Sequence, residues 1–521
     1  MRRPVRGEAF DMSGPSVLWP DTAVPADQLI IDAAAMVDLE IEPILTAILG
    51  ADEYRLRCWF ATPVRHAATV RYRQEVFADL GDDAVRKACD TFARGMRTMR
   101  RRIDARDRVQ HEHQRSWWQL SAATEYVDAV RRFAEALAVL PLTSRALNQW
   151  REFLAGYIDA SGFADLTAAV RRTQQALSGV RYSLRIVDRT LEVGPAETIP
   201  DYSVTIANLF ARFGVGAPRP PRPRSEWDDI NHMEEQILDH VAMVHPRAFQ
   251  QLTEFARAHE HFVDEAVAEF DREIQFYLTY LDFVAHASGT TRAMCLPQLA
   301  SGDTPVHAED AFDLALLTRR RPTDTEVVCN DLRLSGPERV LVVTGPNQGG
   351  KTTFARAFGQ LVYFTALGCP VPARHACLPL ADRVFTHFER AEQATDPDGR
   401  LGEELLRIRE TLAAATADSV IILNESLSST SSADAVRIGR DVLAQIVARG
   451  AIAVWVSFLD ELARTGPAAV SMVAATDPDD PARRTFRIER RPADGNAHAV
   501  VLAERFGLSY DLVTARIAAC E

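Results

Sequence analysis

Apolar side chains return at helical spacing through most of the first 300 residues, then give way to short unbroken runs rich in β-branched residues. This change of period divides the chain. Residues up to 27 contain proline and carry no period, which predicts a loosely held tail. Helical spacing covers Ala26–Leu49, with an interruption at Pro43, and VRYRQEVFADL (Val70–Leu80) reads as one helix. Asp83–Arg115 reads as its successor, and Glu125–Leu140 and Leu142–Ile158 continue the pattern. At Arg181 the period shortens to two. Tyr182, Leu184 and Ile186 alternate with Ser183 and Arg185, and Leu191 and Val193 follow the polar turn Asp188–Thr190, predicting a β-hairpin. The prolines of APRPPRPR (Ala217–Arg224) forbid helix and sheet and predict an extended, basic loop, read as a surface linker with DNA contact as the alternative. Helical spacing resumes over Trp227–Val244 and Pro246–Ala287. A continuous helix over the second stretch would be a lever about 60 Å long at ~1.5 Å per residue. Gly302–Thr325 marks the crossing into the last domain. The pattern therefore predicts a tail (1–27), a helical core (28–160), lever helices with a hairpin and Pro/Arg loop (161–305), and an α/β domain (306–521).

In that last domain, Val327–Leu334 leads to Val340–Val343, an apolar run that reads as a buried parallel strand. From Gly345 to Thr352 the spacing is G-x-x-x-x-G-K-T, with a helical pattern directly behind it: the strand, loop and helix of a phosphate-binding loop. Its glycines let successive backbone N–H groups turn toward phosphate oxygens, and the helix adds its positive end. Gly345, Pro346, Asn347, Gln348, Gly349, Gly350, Lys351, Thr352 and Thr353 are the candidate nucleotide contacts. Lys351 serves the β and γ phosphates of ATP, and the Thr352 hydroxyl is placed to ligate Mg2+. Val384–Phe388 reads as a further strand, Gln393–Gly399 as a polar run, and Leu401–Ala415 as a helix. Ser419–Leu423 is a second buried strand ending in Asn424 and Glu425. Two carboxylates commonly stand at such a strand end. One holds the metal through water, and the other polarises the attacking water. Here Asn424 takes the metal-side position and Glu425 is the candidate base.

Composition adds three things. Of 59 basic residues only Lys87 and Lys351 are lysine, so an arginine-rich chain has kept a lysine at the phosphate position, where the two residues are not interchangeable. The net charge of −13 confines any DNA-binding surface to a local patch. Arg94, Arg97, Arg100, Arg101, Arg102, Arg106 and Arg108 supply a candidate, although such a run round a helix is ordinarily a salt-bridged or solvated face. Trp117 and Trp118 read as core or helix contacts. The seven cysteines (Cys58, Cys89, Cys295, Cys329, Cys369, Cys377, Cys520) have no C-x-x-C pairing, which predicts reduced thiols. With no apolar run of membrane-spanning length and no hydrophobic core after the first basic residues, a soluble cytoplasmic protein is expected.

Several stretches resemble the ATPase of the MutS family of DNA mismatch-repair proteins: TGPNQGGKTTF (Thr344–Phe354), CPVPARHACLPLADRVFTHF (Cys369–Phe388), SVIILNESLSSTSSADA (Ser419–Ala435) and FLDELA (Phe458–Ala463). AHAVVLAERFGLSYDLVTARI near the chain end resembles the family's closing segment, and VRYRQEVFADL its early core helix. The TGPN form of the loop with the VPA stretch sets this resemblance apart from transporter and chromosome-condensing ATPases that share a phosphate loop. It implies an ABC/MutS-type P-loop ATPase, homodimerisation through the ATPase domains, and modest, salt-sensitive DNA binding. Three departures stand out. Asn424 replaces the family's metal-associated aspartate, Phe458 stands where a histidine near the γ-phosphate is usual, and DGRLG (Asp398–Gly402) lacks the serine of the cross-dimer signature. No amino-terminal domain with the mismatch-reading phenylalanine and glutamate motif is recognised, so the resemblance is to a shortened MutS-related protein. The expectation is an ATP hydrolase of slow turnover in a DNA repair or recombination process. The alternative is an ATP-gated clamp or scaffold with little hydrolysis that binds protein or non-mismatch nucleic acid.

Overall fold

A computed structural model of the chain describes residues 14–20, 27–188, 190–196, 232–288, 293–302, 304–319, 327–389, 399–477 and 483–493. Two-residue strand β1 (Ile30–Ile31) precedes α1 (Ala33–Asp38), α2 (Ile41–Leu49), α3 (Arg57–Phe60), α4 (Ala67–Asp79), α5 (Asp83–Arg108), α6 (Glu112–Val139), α7 (Arg145–Asp159) and α8 (Ser161–Ser178). Hairpin strands β2 (Tyr182–Val187) and β3 (Thr190–Pro195) pair antiparallel, as the alternation predicts. Helices α9 (His232–Val244), α10 (Pro246–Ala258) and α11 (Glu265–Ser288) follow. The Pro/Arg loop Ala217–Arg224 lies outside the described residues.

Three expectations from the period alone are corrected. The helix predicted over Asp83–Arg115 is two helices, because Val109 and His111 are extended and α6 begins at Glu112. The turn folds α6 back on α5 so closely that a Cβ on Gly95 would lie 2.7 Å from that of Ala129. The continuous lever over Pro246–Ala287 is also two helices. His259 leaves helical geometry, and Asp264 restarts the chain by accepting from the N–H groups of Ala266 (2.9 Å) and Val267 (3.3 Å), an N-cap. Far from projecting, α11 runs through the core, with Phe270, Ile274, Phe276 and Tyr277 buried. Finally, the tail is not loose throughout: Val17 and Leu18 are fully buried, and Glu273 accepts from Ser16 Oγ and Val17 N, each at 2.7 Å.

The arginine run of α5 is largely committed within the protein. Arg100 pairs with Asp271, Arg102 with Glu125 at 3.0 Å, and Arg106 Nη1 donates to Gln119 at 2.6 Å. Trp118 is buried, while Trp117 remains half exposed. Among the described residues no disulfide joins two cysteines and no helix is long and apolar enough to cross a membrane.

The remaining elements are β4 (Gln298–Leu299), β5 (Val306–Ala311), α12 (Leu314–Arg319), β6 (Asn330–Leu334), β7 (Val340–Thr344), α13 (Lys351–Leu367), β8 (His375–Leu378), β9 (Arg383–Phe388), α14 (Gly399–Ala414), β10 (Val420–Asn424), α15 (Ser432–Arg449), β11 (Ile452–Val456), a 3-10 turn Asp460–Arg464, β12 (Ala469–Thr476) and β13 (Arg484–Arg490). They form a seven-stranded sheet in the order β1-β9-β10-β11-β7-β12-β13, parallel except for β13, beside a smaller sheet β4-β8-β5-β6. VLVVT and VIILN are buried along their whole length, which is why they read as unbroken apolar runs rather than alternating ones.

Helix α13 joins the two regions. A Cβ on Gly359 would come within 2.8 Å of the side-chain ends of both Leu39 and Ile422, so glycine lets the helix pass between α1 and the sheet without displacing them. Arg356 pairs with Glu40 at 2.6 Å and Asp313 at 2.7 Å, and Gln360 donates to the Leu39 carbonyl at 3.0 Å. At the helix's far end, fully buried Arg73 of α4 donates to the carbonyls of Leu367 (3.1 Å) and Leu18 (3.3 Å) and lies 4.4 Å over the Trp19 ring. One rod thus begins at the glycine loop and ends in the helical core.

Candidate nucleotide site

Strand β7 delivers Thr344 to a loop that then curls sharply. Gly345 has φ +117, and a Cβ there would stand 2.9–3.1 Å from Ala474 atoms, so glycine is required twice over, by conformation and by space. Gln348 (φ +59) and Gly350 (φ +90) also occupy left-handed geometry, and a Cβ on Gly349 would meet the Pro346 carbonyl at 2.9 Å. Helix α13 starts at Lys351, and Thr352 and Thr353 stand in its first turn, so its free N–H groups and positive end face the loop. Lys351 is buried. Its Nζ donates to the carbonyls of Gly345 (2.8 Å) and Pro346 (3.1 Å) and lies 4.9 Å from the Phe458 ring centroid, a cation–π distance. Burial lowers its pKa below the ordinary lysine value, Glu425 opposes that shift, and Arg484 adds to it.

Strand β10 sits two places from β7 with β11 between them, which brings its end beside the start of α13. There the Thr352 hydroxyl donates to Asn424 Oδ1 at 2.9 Å. Two residues 72 positions apart in sequence thus put two neutral oxygens together at the position the sequence analysis expects for a metal. Magnesium keeps several waters and takes substrate phosphate oxygens, so two protein oxygens fit its habit but supply no charge. Among the described residues no cluster of three or more His, Cys, Asp or Glu could hold a metal. Glu425 follows in left-handed geometry (φ +55), its N–H donating to the Val456 carbonyl at 2.9 Å. The left-handed step ends the strand and turns the chain at the candidate base.

Four supporting residues went unrecognised in the sequence. Glu404 of α14 accepts from Leu427 N (2.9 Å) and Ser429 Oγ (3.1 Å), gripping the loop that follows Glu425. Arg484 Nε donates to the Asn347 carbonyl at 3.1 Å, bracing the glycine loop from β13. Phe486 (φ +58) lies against Gly350, and Asn330 holds that irregular strand by donating to the Phe486 carbonyl (3.1 Å) and accepting from Ile488 N (2.7 Å). Each acts across more than twenty residues of sequence and belongs to no short motif, so no local signal marked it. The polar run before Gly399, which contains the first residue of DGRLG, and the closing segment Ala497–Ile517 lie outside the described residues.

Residues 341–481 match the family model for MutS domain V. The chain is 31% identical over 152 residues to the DNA mismatch repair protein MutS of Shouchella clausii, covering 28% of this chain and 18% of that protein. It is 34% identical over 121 residues to MutS of an Exiguobacterium species, covering 23% and 14% respectively. It is 35% identical over 124 residues to DNA mismatch repair protein MutS 2 of Halobacterium salinarum, covering 24% and 14%. The matched part therefore spans less than a fifth of the length of these curated relatives.

Proposed function

Because the chain belongs to the MutS family through this mixed α/β domain, we propose that it binds ATP with Mg2+, hydrolyses it slowly, and couples that cycle to DNA binding in a repair or recombination process. The observation that carries this reading is the convergence of the curled loop, Lys351, the Thr352–Asn424 pair and Glu425 at the carboxyl ends of the central strands β7 and β10. Loop N–H groups and the start of α13 would receive the phosphates, and the Lys351 ammonium would leave its carbonyl partners for the β and γ oxygens. Thr352 Oγ1 and Asn424 Oδ1 would be the protein's share of the metal shell, and Mg2+ would neutralise charge on the phosphates. Glu425 would accept the proton of the attacking water. The family further implies a homodimer through the ATPase domains, and the relatives' names point to DNA; both belong to this proposal.

Two observations favour the clamp reading, in which ATP is held and barely hydrolysed. Asn424 provides no carboxylate, and Phe458 offers a ring face but no hydrogen bond to the γ-phosphate. Equilibrium binding and steady-state hydrolysis of MgATP by the wild type, Lys351→Ala and Glu425→Gln separate the possibilities. ATP affinity that depends on Lys351, with turnover that depends on Glu425, supports the enzyme. A rate equal in wild type and Glu425→Gln leaves the clamp, and affinity indifferent to Lys351 overturns both. For DNA, six neutralised phosphates would cost roughly a thousandfold in affinity between about 50 and 200 mM salt, so binding that ignores salt would contradict the DNA part.

A further inference from the structure

The chain at the candidate base is wound in a conformation that side chains resist. Within three residues it enters the left-handed region twice without glycine, at Glu425 (φ +55) and Leu427 (φ +67). Such backbone is costly for residues that carry a Cβ, and it persists only where the surroundings over-determine it. Residues 426–429 form a turn between β10 and α15, so regular strand or helix pairing does not supply the hold.

The hold comes from three neighbouring elements. From β11, the Val456 carbonyl accepts from Glu425 N at 2.9 Å. From β9, buried His387 shares a hydrogen bond of 3.0 Å between its Nδ1 and Ser426 Oγ. From α14, each carboxylate oxygen of Glu404 takes one donor: Oε1 accepts from Leu427 N at 2.9 Å and Oε2 from Ser429 Oγ at 3.1 Å. The Leu427 side chain is buried in the same apolar cluster as Ile408 and Leu412 of α14. The turn therefore keeps several anchors without Glu404. What the Glu404 carboxylate adds is a fix on the left-handed step at Leu427, two residues from the base. Glu425 in turn stands near enough to Lys351 to oppose the burial-driven fall of its pKa, so its carboxylate lies within electrostatic reach of the glycine loop.

We propose that Glu404 is a positioning residue for hydrolysis: by clamping the turn at Leu427 and Ser429, it aims the Glu425 carboxylate at the attacking water. This inference rests on the reading of Glu425 as the base. A proton acceptor must meet its water at hydrogen-bond distance in the chemical step, whereas ATP binding draws on the loop N–H groups and Lys351. Loss of Glu404 is therefore felt in turnover and not in affinity. A strut that only kept the domain folded would, on removal, lower both together with the melting temperature.

The test is single-turnover hydrolysis of radiolabelled MgATP by the full chain, with ATP affinity and melting temperature measured alongside, in the wild type, Glu404→Ala, Glu404→Gln, Glu425→Gln and the double variant Glu404→Ala/Glu425→Gln. Glu404→Ala is expected to slow hydrolysis about tenfold or more while ATP affinity stays within about threefold. Glu404→Gln keeps one carbonyl oxygen for the Leu427 N–H and should recover most of the loss. The double variant should be no slower than Glu425→Gln, because Glu404 acts only through the base. Ser429→Ala removes the outer of the two bonds and should slow hydrolysis about threefold, which keeps the proposal testable should Glu404→Ala not fold. Hydrolysis unchanged in Glu404→Ala or Ser429→Ala, a fall in affinity as large as the fall in rate, or a further loss in the double variant overturns the proposal and leaves the base assignment standing. Hydrolysis indifferent to Glu425→Gln overturns both.

Discussion

Two stretches of this chain look equally decisive in sequence and fare differently in three dimensions: the strand, loop and helix of 340–367, and the helical run of 246–287. The first folds as its residues demand, with glycines at Gly345 and Gly350 in geometry that other residues rarely adopt. The second breaks at His259 and restarts at Asp264, although its apolar period continues across the break. A motif written in backbone constraints survives tertiary context. A motif written only in periodicity does not, because burial against neighbours can redirect the chain at small cost.

The sharpest test of that contrast acts on the loop. Lys351→Ala should weaken ATP binding about a hundredfold or more, measured by fluorescent-nucleotide titration, since it removes the one charge that the loop cannot replace. Glu425→Gln should lower turnover by about a hundredfold while leaving ATP affinity within a few-fold, the expected behaviour of a base that acts only in the chemical step. Both effects would be local, with the melting temperature little changed.

On the side decided by packing, the effects should be global. Burial pushes the Glu273 carboxyl up to about 7 from an ordinary value of 4.5, despite the donors from Ser16 and Val17 that pull it down. Below 4.5 both the folded and unfolded forms are protonated. As pH rises toward 7 the unfolded chain ionises first, so stability should fall by roughly 3 kcal/mol across that window and then level off. Glu273→Gln should flatten the slope of urea-unfolding stability against pH, leaving the smaller contribution of Asp271, which is raised to about 6. Gly359→Ala should cost about 1–3 kcal/mol by driving a methyl group into Leu39 and Ile422, read by thermal unfolding. Asp264→Ala should cost only about 1 kcal/mol, the loss of one N-cap; a larger loss would mean that the break in the lever bears more than a helix start.

Legibility followed the same division at finer scale. The fully buried strands and the hairpin were readable, since β-branched runs and strict alternation each have one structural outcome. Residues 14–20 were misread as loose because no local property of Ser16–Trp19 announces that Glu273, more than 250 residues away, receives them. The arginine run of α5 reads as a salt-bridged or solvated face, but its partners cannot be named from the run, because Asp271 and Glu125 reach it only after the helices pack.

From the order of residues alone came the glycine loop with its flanking strand and helix, the candidate set Lys351, Thr352, Asn424 and Glu425, and the departures at Asn424 and Phe458. Chemical identity and backbone allowance are properties of single positions and short spacings, and they hold wherever the chain goes. Tertiary structure alone decided that the Thr352 hydroxyl meets the Asn424 amide, that Glu404 and Arg484 brace the site, and that one helix joins the glycine loop to buried Arg73. Those contacts depend on distances between segments far apart in the chain, which packing sets and no local pattern encodes.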